Sequence, residues 1–201
     1  MSQTKLATYL DEPTKFSGMV AALGHDVGHR GKNNSYEMSS MSELAITYHD
    51  ISVLEQYHIN VLLDILLMPK CNILGSLTQS QWRDTRATII ECILATDMSK
   101  HVPLLDKFEA ETGDLQSRRD NLTNEEKNHI AAVFVHMCDL SNGGKKFEIS
   151  FKWSNFVKQE FMQQVKIIKN LIFHEKIINK ELRFQSALWS SSSSSRGFYR
   201  F

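Results

Sequence analysis

The sequence predicts an all-α fold, and three observations carry that expectation. Apolar residues recur at three- and four-residue spacing over most of residues 16–169, the period of an amphipathic helix. Three runs, Ser40–Glu43, Thr78–Gln81 and Thr123–Glu126, have the Ser/Thr-x-x-Glu/Gln pattern of a capping box. Helix breakers are scarce, with three prolines and nine glycines in 201 residues, and no alternating strand pattern survives.

Composition narrows the class further. A chain of 201 residues that is 42 % apolar suits one domain with a real core. Its 23 basic and 23 acidic residues cancel, which removes the electrostatic case for nucleic acid or an anionic membrane. Cys71, Cys92 and Cys138 are odd in number and far from any metal or redox spacing, so they read as reduced thiols. The first residues lack the apolar stretch of a secretory signal, and no run approaches the roughly 18 apolar residues of a membrane span. The expectation is a cytoplasmic domain.

Taken in order, Asp11-Glu12-Pro13 predicts a helix start, and Phe16, Met19, Val20, Leu23 and Val27 keep helical spacing as far as His29. Residues 31–42 read as a loop, and Ser40 opens a short helix to Tyr48. From Leu54 the apolar positions Tyr57, Val61 and Ile65 continue a helix until Pro69. Thr78 opens another, with Trp82, Ile89, Ile90, Ile93 and Leu94 as its stripe, which runs on into Thr96–His101. Residues after Pro103 are mixed, and 111–121 form a charged loop. The helix opened by Thr123 puts Ile130, Val133, Phe134 and Met137 on one face and His129, Ala132, His136 and Asp139 on another. Phe151–Lys169 alternates aromatics with Lys and Gln, core-facing by default. The pattern fades after Ile172, and six serines form a low-complexity linker.

The chemistry concentrates in Gly24-His25-Asp26-Val27-Gly28-His29-Arg30-Gly31, followed by Asn33-Asn34. On a helix His25 and His29, at i and i+4, share a face beside Asp26. Adjacent His and Asp supply one nitrogen and one oxygen to one metal, a pairing suited to zinc or to a mixed pair with magnesium. Asp139 is costly to bury unless paired or metal-bound, or else it faces solvent. Glu55 and His58 at i and i+3 suit a shell that orients a metal's water, or a hydrated helix face. Asp97 with His101 is open in the same way, and Asn142 reads as a binding residue or a helix C-cap.

Together, His25-Asp26-Val27-Gly28-His29-Arg30-Gly31 with Asn33-Asn34, Tyr48-His49-Asp50 with Glu55 and His58, Leu94–His101, and Cys138-Asp139-Leu140-Ser141-Asn142 resemble the catalytic domain of the class I cyclic nucleotide phosphodiesterases. Order and spacing agree over about residues 16–165, and Trp153–Gln164 is similar to the helix that follows. The resemblance implies a multi-helix fold of the HD superfamily, incomplete here, over residues 1–172, with a divergent tail at 173–201. It implies two divalent metal ions, zinc with magnesium or manganese. In the family's pattern His25, Asp26 and Asp139 are ligands of the tighter metal, and Asp26 bridges to the second. Asp26, Asp139 and Asn142 then bind the substrate, Asn142 at the base. His29, Glu55 and His58 are catalytic by lining the site and supporting its waters, with Thr96 nearby. The implied reaction, in signal transduction, opens the 3′,5′-cyclic phosphate of cyclic AMP or cyclic GMP to a 5′-monophosphate.

The pattern also departs from that family. An upstream HNxxHA motif supplies a general acid and a further metal-binding histidine there, and no counterpart stands among the 24 residues before His25. The purine-clamping glutamine is not recognisable, and Ser195 stands where Gly197-Phe198 echoes its sequel. Losing a general acid typically costs about 10²–10⁴ in rate, so weak or absent hydrolysis is expected from these 201 residues. The alternative is a catalytically inactive fragment that binds nucleotide or a partner. A different phosphohydrolase of the wider His-Asp superfamily fits Thr96–His101 and Asp139–Asn142 less well.

Overall fold

Asp11 opens α1 (Glu12–Gly24), its carboxylate accepting from the Thr14 N–H, with Pro13 in the first turn where a missing N–H costs nothing. In this computed structural model, which describes residues 8–113, 118 and 121–194, the helices that follow are α2 (Asn34–Ser39), α3 (Glu43–Thr47), α4 (Val53–Leu67), α5 (Gln79–Leu94), α6 (His101–Thr112), α7 (Asn124–Asp139) and α8 (Phe147–Ser194). Short 3-10 turns at Met98–Lys100 and Leu140–Gly144 lead out of α5 and α7. The described residues contain no strand, so the all-α expectation stands.

The chain divides into two compact units, Met1–Asn155 and Phe156–Phe201. In the first, α5 packs against α1, α4 and α7, and α1 also lies on α7. Ile89, Cys92 and Ile93 of α5 are fully buried between Ala21 of α1, Leu62 and Leu66 of α4, and Ala131 and Ala132 of α7. Removing the Ile93 side chain should cost about 2–5 kcal/mol of stability, read by denaturant unfolding, because the packed neighbours cannot collapse into the cavity. In the second unit, described to Ser194, the chain continues as α8.

Several local expectations change. The capping boxes at Thr78 and Thr123 form as read, each with both reciprocal hydrogen bonds. The one at Ser40 does not: Ser40 closes α2, and Ser42 is the N-cap of α3. Residues 31–42 are not all loop, since Asn33 caps α2 through the Tyr36 N–H. α1 ends at Gly24 rather than His29, and the chain turns through Gly28 at φ +77°. The core face of α1 is built from Val20, as expected, with the small residues Ser17, Gly18, Ala21 and Gly24, while Met19 and Leu23 point outward. On α4 the buried stripe is Ile59, Leu62 and Leu66 rather than Tyr57, Val61 and Ile65.

α5 also stops at Leu94, because Asp97 caps the 3-10 turn instead of continuing the helix. Pro103 sits in the first turn of α6, where it is tolerated, and that helix absorbs Glu111 and Thr112. Residues 114–117 and 119–120 of the expected loop lie outside the described residues, as does the Ser195–Phe198 echo. Met137 is exposed on α7, while His129 and His136 are buried, the reverse of the polar stripe expected for them. α8 does not fade at Ile172 but includes Ser190–Ser194. Phe147, Phe151 and Trp153 are exposed rather than core.

Candidate metal centre

His25 caps the C-terminus of α1, so its ring leaves the helix and swings toward the end of α7. Its Nδ1–H donates to the Ala22 carbonyl at 2.9 Å, which fixes the ring and presents Nε2. That nitrogen lies 3.3 Å from Asp139 Oδ1 and 3.4 Å from Asp26 Oδ2. It is buried yet has no partner in hydrogen-bonding geometry. One nitrogen and two carboxylate oxygens thus converge as an ion-paired group, a donor set that suits a divalent cation in place of the imidazole proton.

The two carboxylates, Asp139 first, hold the His25 imidazole charged, its pKa pushed up to about 10. His25 in turn brings Asp26 below the usual carboxylate range, against the opposing effect of burial.

Asp26 also faces the other way. Its Oδ1 is 3.8 Å from His58 Nε2, on a ring whose Nδ1–H donates to the Val27 carbonyl at 2.8 Å. His29 stacks on His58 with ring centroids 5.7 Å apart. Asp26, His29 and His58 each offer one donor atom within 4.8 Å of the others, a second potential cation cluster that shares Asp26 with the first. The positive φ of Gly28 allows the tight turn that brings His29 back within reach of Asp26. His25 and His29 do not share a helix face as their spacing suggested. His29 Nδ1 accepts from the Gly31 N–H at 3.1 Å, which leaves Nε2 as the donor of the neutral ring. His58 is buried, and burial holds its pKa down, so the ring is available as a neutral ligand.

Glu55 stands nearly one turn before His58 on α4 and is likewise buried. The hydrated-face alternative for this pair therefore fails. Burial raises the Glu55 pKa, against two hydrogen bonds from Asn34 Nδ2 at 3.2 and 2.9 Å. Asn34 Oδ1 meanwhile accepts from the Leu54 N–H, tying α2 to the start of α4. Asp97 is structural. It accepts from the buried Ser52 hydroxyl at 2.8 Å and caps Ser99, while His101 pairs with His136 across 2.8 Å. Thr96 donates to the Ile93 carbonyl, and Asn142 accepts from Lys145. Among the described residues no contact joins Asn142 to the histidine–aspartate cluster, and it is not the C-cap of α7, which is Leu140.

Sequence reasoning took Asn34, with Asn33, as a helix stop within the family-like motif and gave no role to Ser52. A capping Asn33 before a short helix hints at the first, and nothing local marks the second, whose partner is 45 residues away.

The family model for 3′,5′-cyclic nucleotide phosphodiesterase matches residues 1–200. A curated relative, 3′,5′-cyclic-nucleotide phosphodiesterase regA of Dictyostelium discoideum, is 34 % identical over 158 residues, which are 79 % of this chain and 20 % of that protein. The high affinity cGMP-specific 3′,5′-cyclic phosphodiesterase 9A of Mus musculus is 34 % identical over 149 residues, 73 % of this chain and 27 % of its own length. Among solved structures, the phosphodiesterase domain of the RhoPDE fusion protein from Salpingoeca rosetta superposes with a TM-score of 0.75 at 36 % identity, covering 81 % of this chain and 51 % of that one. The chain therefore spans a fifth to about a quarter of these curated relatives and half of the solved domain.

Proposed function

This chain belongs to the 3′,5′-cyclic nucleotide phosphodiesterase family, and from that membership we propose that it carries the metal centre for hydrolysis of a cyclic nucleotide, cyclic AMP or cyclic GMP, to the 5′-monophosphate. The observation that supports this best is the Asp26 carboxylate, one oxygen toward His25 and the other toward His58. A carboxylate shared in this way suits two neighbouring divalent ions, zinc and magnesium or manganese. His25, Asp26 and Asp139 would hold the tighter ion, and Asp26 would reach the second beside His58 and His29. Bound metals supply Lewis acidity, acidifying water and neutralising phosphoryl charge.

The chain's own residues do the rest. Asp26 and Asp139 would hold the ions whose charge the cyclic phosphate meets. His29 Nε2–H donates to an oxygen of the phosphate or of the attacking water, its tautomer set by Gly31. Glu55, whose pKa burial raises against the Asn34 hydrogen bonds, takes a proton from the attacking water. Ring opening inverts at phosphorus as the new oxygen enters opposite the departing 3′ oxygen, which takes its proton from solvent water, since no counterpart of the family's general acid stands before His25. Asn142, on the 3-10 turn after Asp139, contacts the base. We place the activity in cytoplasmic signalling. No described helix is long and apolar enough to cross a membrane.

The test is hydrolysis of cyclic AMP and cyclic GMP by the purified chain. A slow turnover is expected that is lost with EDTA and restored by zinc plus magnesium or manganese. Zinc binding without turnover would favour the inactive nucleotide-binding alternative. Absence of zinc binding in calorimetry would overturn the metal-centre reading altogether.

A further inference from the structure

His29 reaches the Asp26 carboxylate from an exposed turn that follows α1, so no helix carries it. Local bonds shape that turn: the Val27 N–H donates to the Gly24 carbonyl at 3.1 Å, and the His29 N–H to the Asp26 carbonyl at 3.0 Å. The Gly31 N–H that fixes the His29 ring belongs to the same stretch and moves with it. The first half of the turn is fastened at Val27, whose carbonyl accepts from His58 and whose side chain packs on the main core. What backs the second half is an aromatic ring on α4.

That ring is Tyr57, and it meets the residues on both sides of His29. A Cβ at Gly28 would stand 3.1 Å from Tyr57 Oη and 3.2 Å from Cε1, so the bare glycine fits close against the ring. The Arg30 guanidinium carbon lies over the same ring, 5.2 Å from its centroid, within the reach of a cation–π contact. Tyr57 is itself anchored, packed on Leu44 and Ala45 of α3 and on Val53 of α4. Its neighbour in the chain is His58, with ring centroids 5.8 Å apart. One turn of α4 therefore supplies both a residue of the second cation cluster and the support for the turn that brings another.

We propose that Tyr57 is a positioning residue for the second cation: its ring, flanked by Gly28 and Arg30, sets His29 against His58 and Asp26. The inference rests on the metal-centre reading for its cation, but its geometry belongs to the metal-free chain and is tested there first. Nuclear magnetic resonance of the metal-free full chain should show an Overhauser contact between the His29 and His58 rings, which stack at 5.7 Å. Tyr57→Ala should erase that contact. The same variant, loaded with zinc and titrated with manganese by electron paramagnetic resonance, should bind manganese about tenfold more weakly or worse, the scale for losing a group that orients a ligand. Zinc affinity should change far less, since His25 and Asp139 do not touch Tyr57. Tyr57→Phe keeps the ring and should restore both readouts, which a general loosening of α4 would not predict for so similar a fold. Arg30 is exposed, so Arg30→Ala keeps the fold and should weaken the ring contact in part. Circular dichroism checks each variant, and where Tyr57→Ala loosens α4 the Arg30→Ala result decides. A His29–His58 contact undiminished in Tyr57→Ala and Arg30→Ala would overturn the proposal, as would Tyr57→Phe behaving like Tyr57→Ala. Failure of the unsubstituted chain to bind manganese would overturn the two-cation reading instead, and the ring contact would still decide the role of Tyr57.

Discussion

Asp26→Ala is expected to abolish tight zinc binding, lowering affinity by more than about 100-fold, and with it any metal-dependent hydrolysis. The size follows from the residue's double duty. Mutating a group that merely orients a ligand costs 10–100-fold in metal affinity. Asp26 presents one oxygen toward His25 and Asp139 and the other toward His58, so its loss weakens both halves of the centre together. The fold should survive, because the Asp26 side chain is 63 % exposed and packs in no core cluster. Calorimetric zinc titration beside a thermal melt of the metal-free variant separates the two effects. Near-native zinc affinity in Asp26→Ala would sink the shared-carboxylate arrangement. Asn142→Ala is the contrast, since its amide touches only Lys145 among the described contacts and should leave metal affinity unchanged.

How much of this was legible beforehand depended on whether the signal was local. Thr78 with Gln81, and Thr123 with Glu126, act over three residues, and both boxes form as read. The all-α class rests on helical periodicity summed over many turns, which single errors do not disturb. The core face of α1 misled, because hydropathy weights Met19 and Leu23 above Gly18, Ala21 and Gly24. Close approach of α4 makes the small residues the buried ones: a Cβ on Gly24 would lie 2.6 Å from Leu62 Cδ1. The turn after Gly24 was hidden for a related reason. Apolar spacing continues through Val27, but α1 already ends at Gly24, and the chain then turns through Gly28 at φ +77°, where glycine costs little.

The site divides along the same line. Residue types and order brought His25, Asp26, His29, Glu55, His58 and Asp139 onto one short set. Their pairing was not legible, because it is made by contacts far apart in sequence: His25 with Asp139 across the bundle, and Asn34 with Glu55 across 21 residues. The Ser52–Asp97 bond explains why Asp97 and His101, read as an i, i+4 pair, turn to different partners.

Zinc affinity should rise with pH by about tenfold per unit between about pH 7 and 10, because the metal competes with one strongly held proton. In the metal-free chain the Asp139 carboxylate, and then Asp26, keep His25 charged up to about 10. Zinc needs the bare Nε2, so each ion bound below that pH must expel the proton. Calorimetry in two buffers of different ionisation enthalpy should therefore report about one proton released per zinc at pH 8. The stability of the metal-free chain has the opposite slope. A histidine raised from 6.5 to about 10 on folding contributes fully below pH 6.5. Between those values the folded chain binds the proton that the unfolded chain has lost, so stability falls as pH rises, and the contribution is gone above about 10. Asp139→Asn, which removes the largest cause of the raised pKa, should flatten the decline and reduce the proton release. A pH-independent zinc affinity with no proton released would refute His25 as a ligand. Falling stability alone would mark it as an ion pair and nothing more, since only a metal ligand couples that same proton to zinc in the reverse sense.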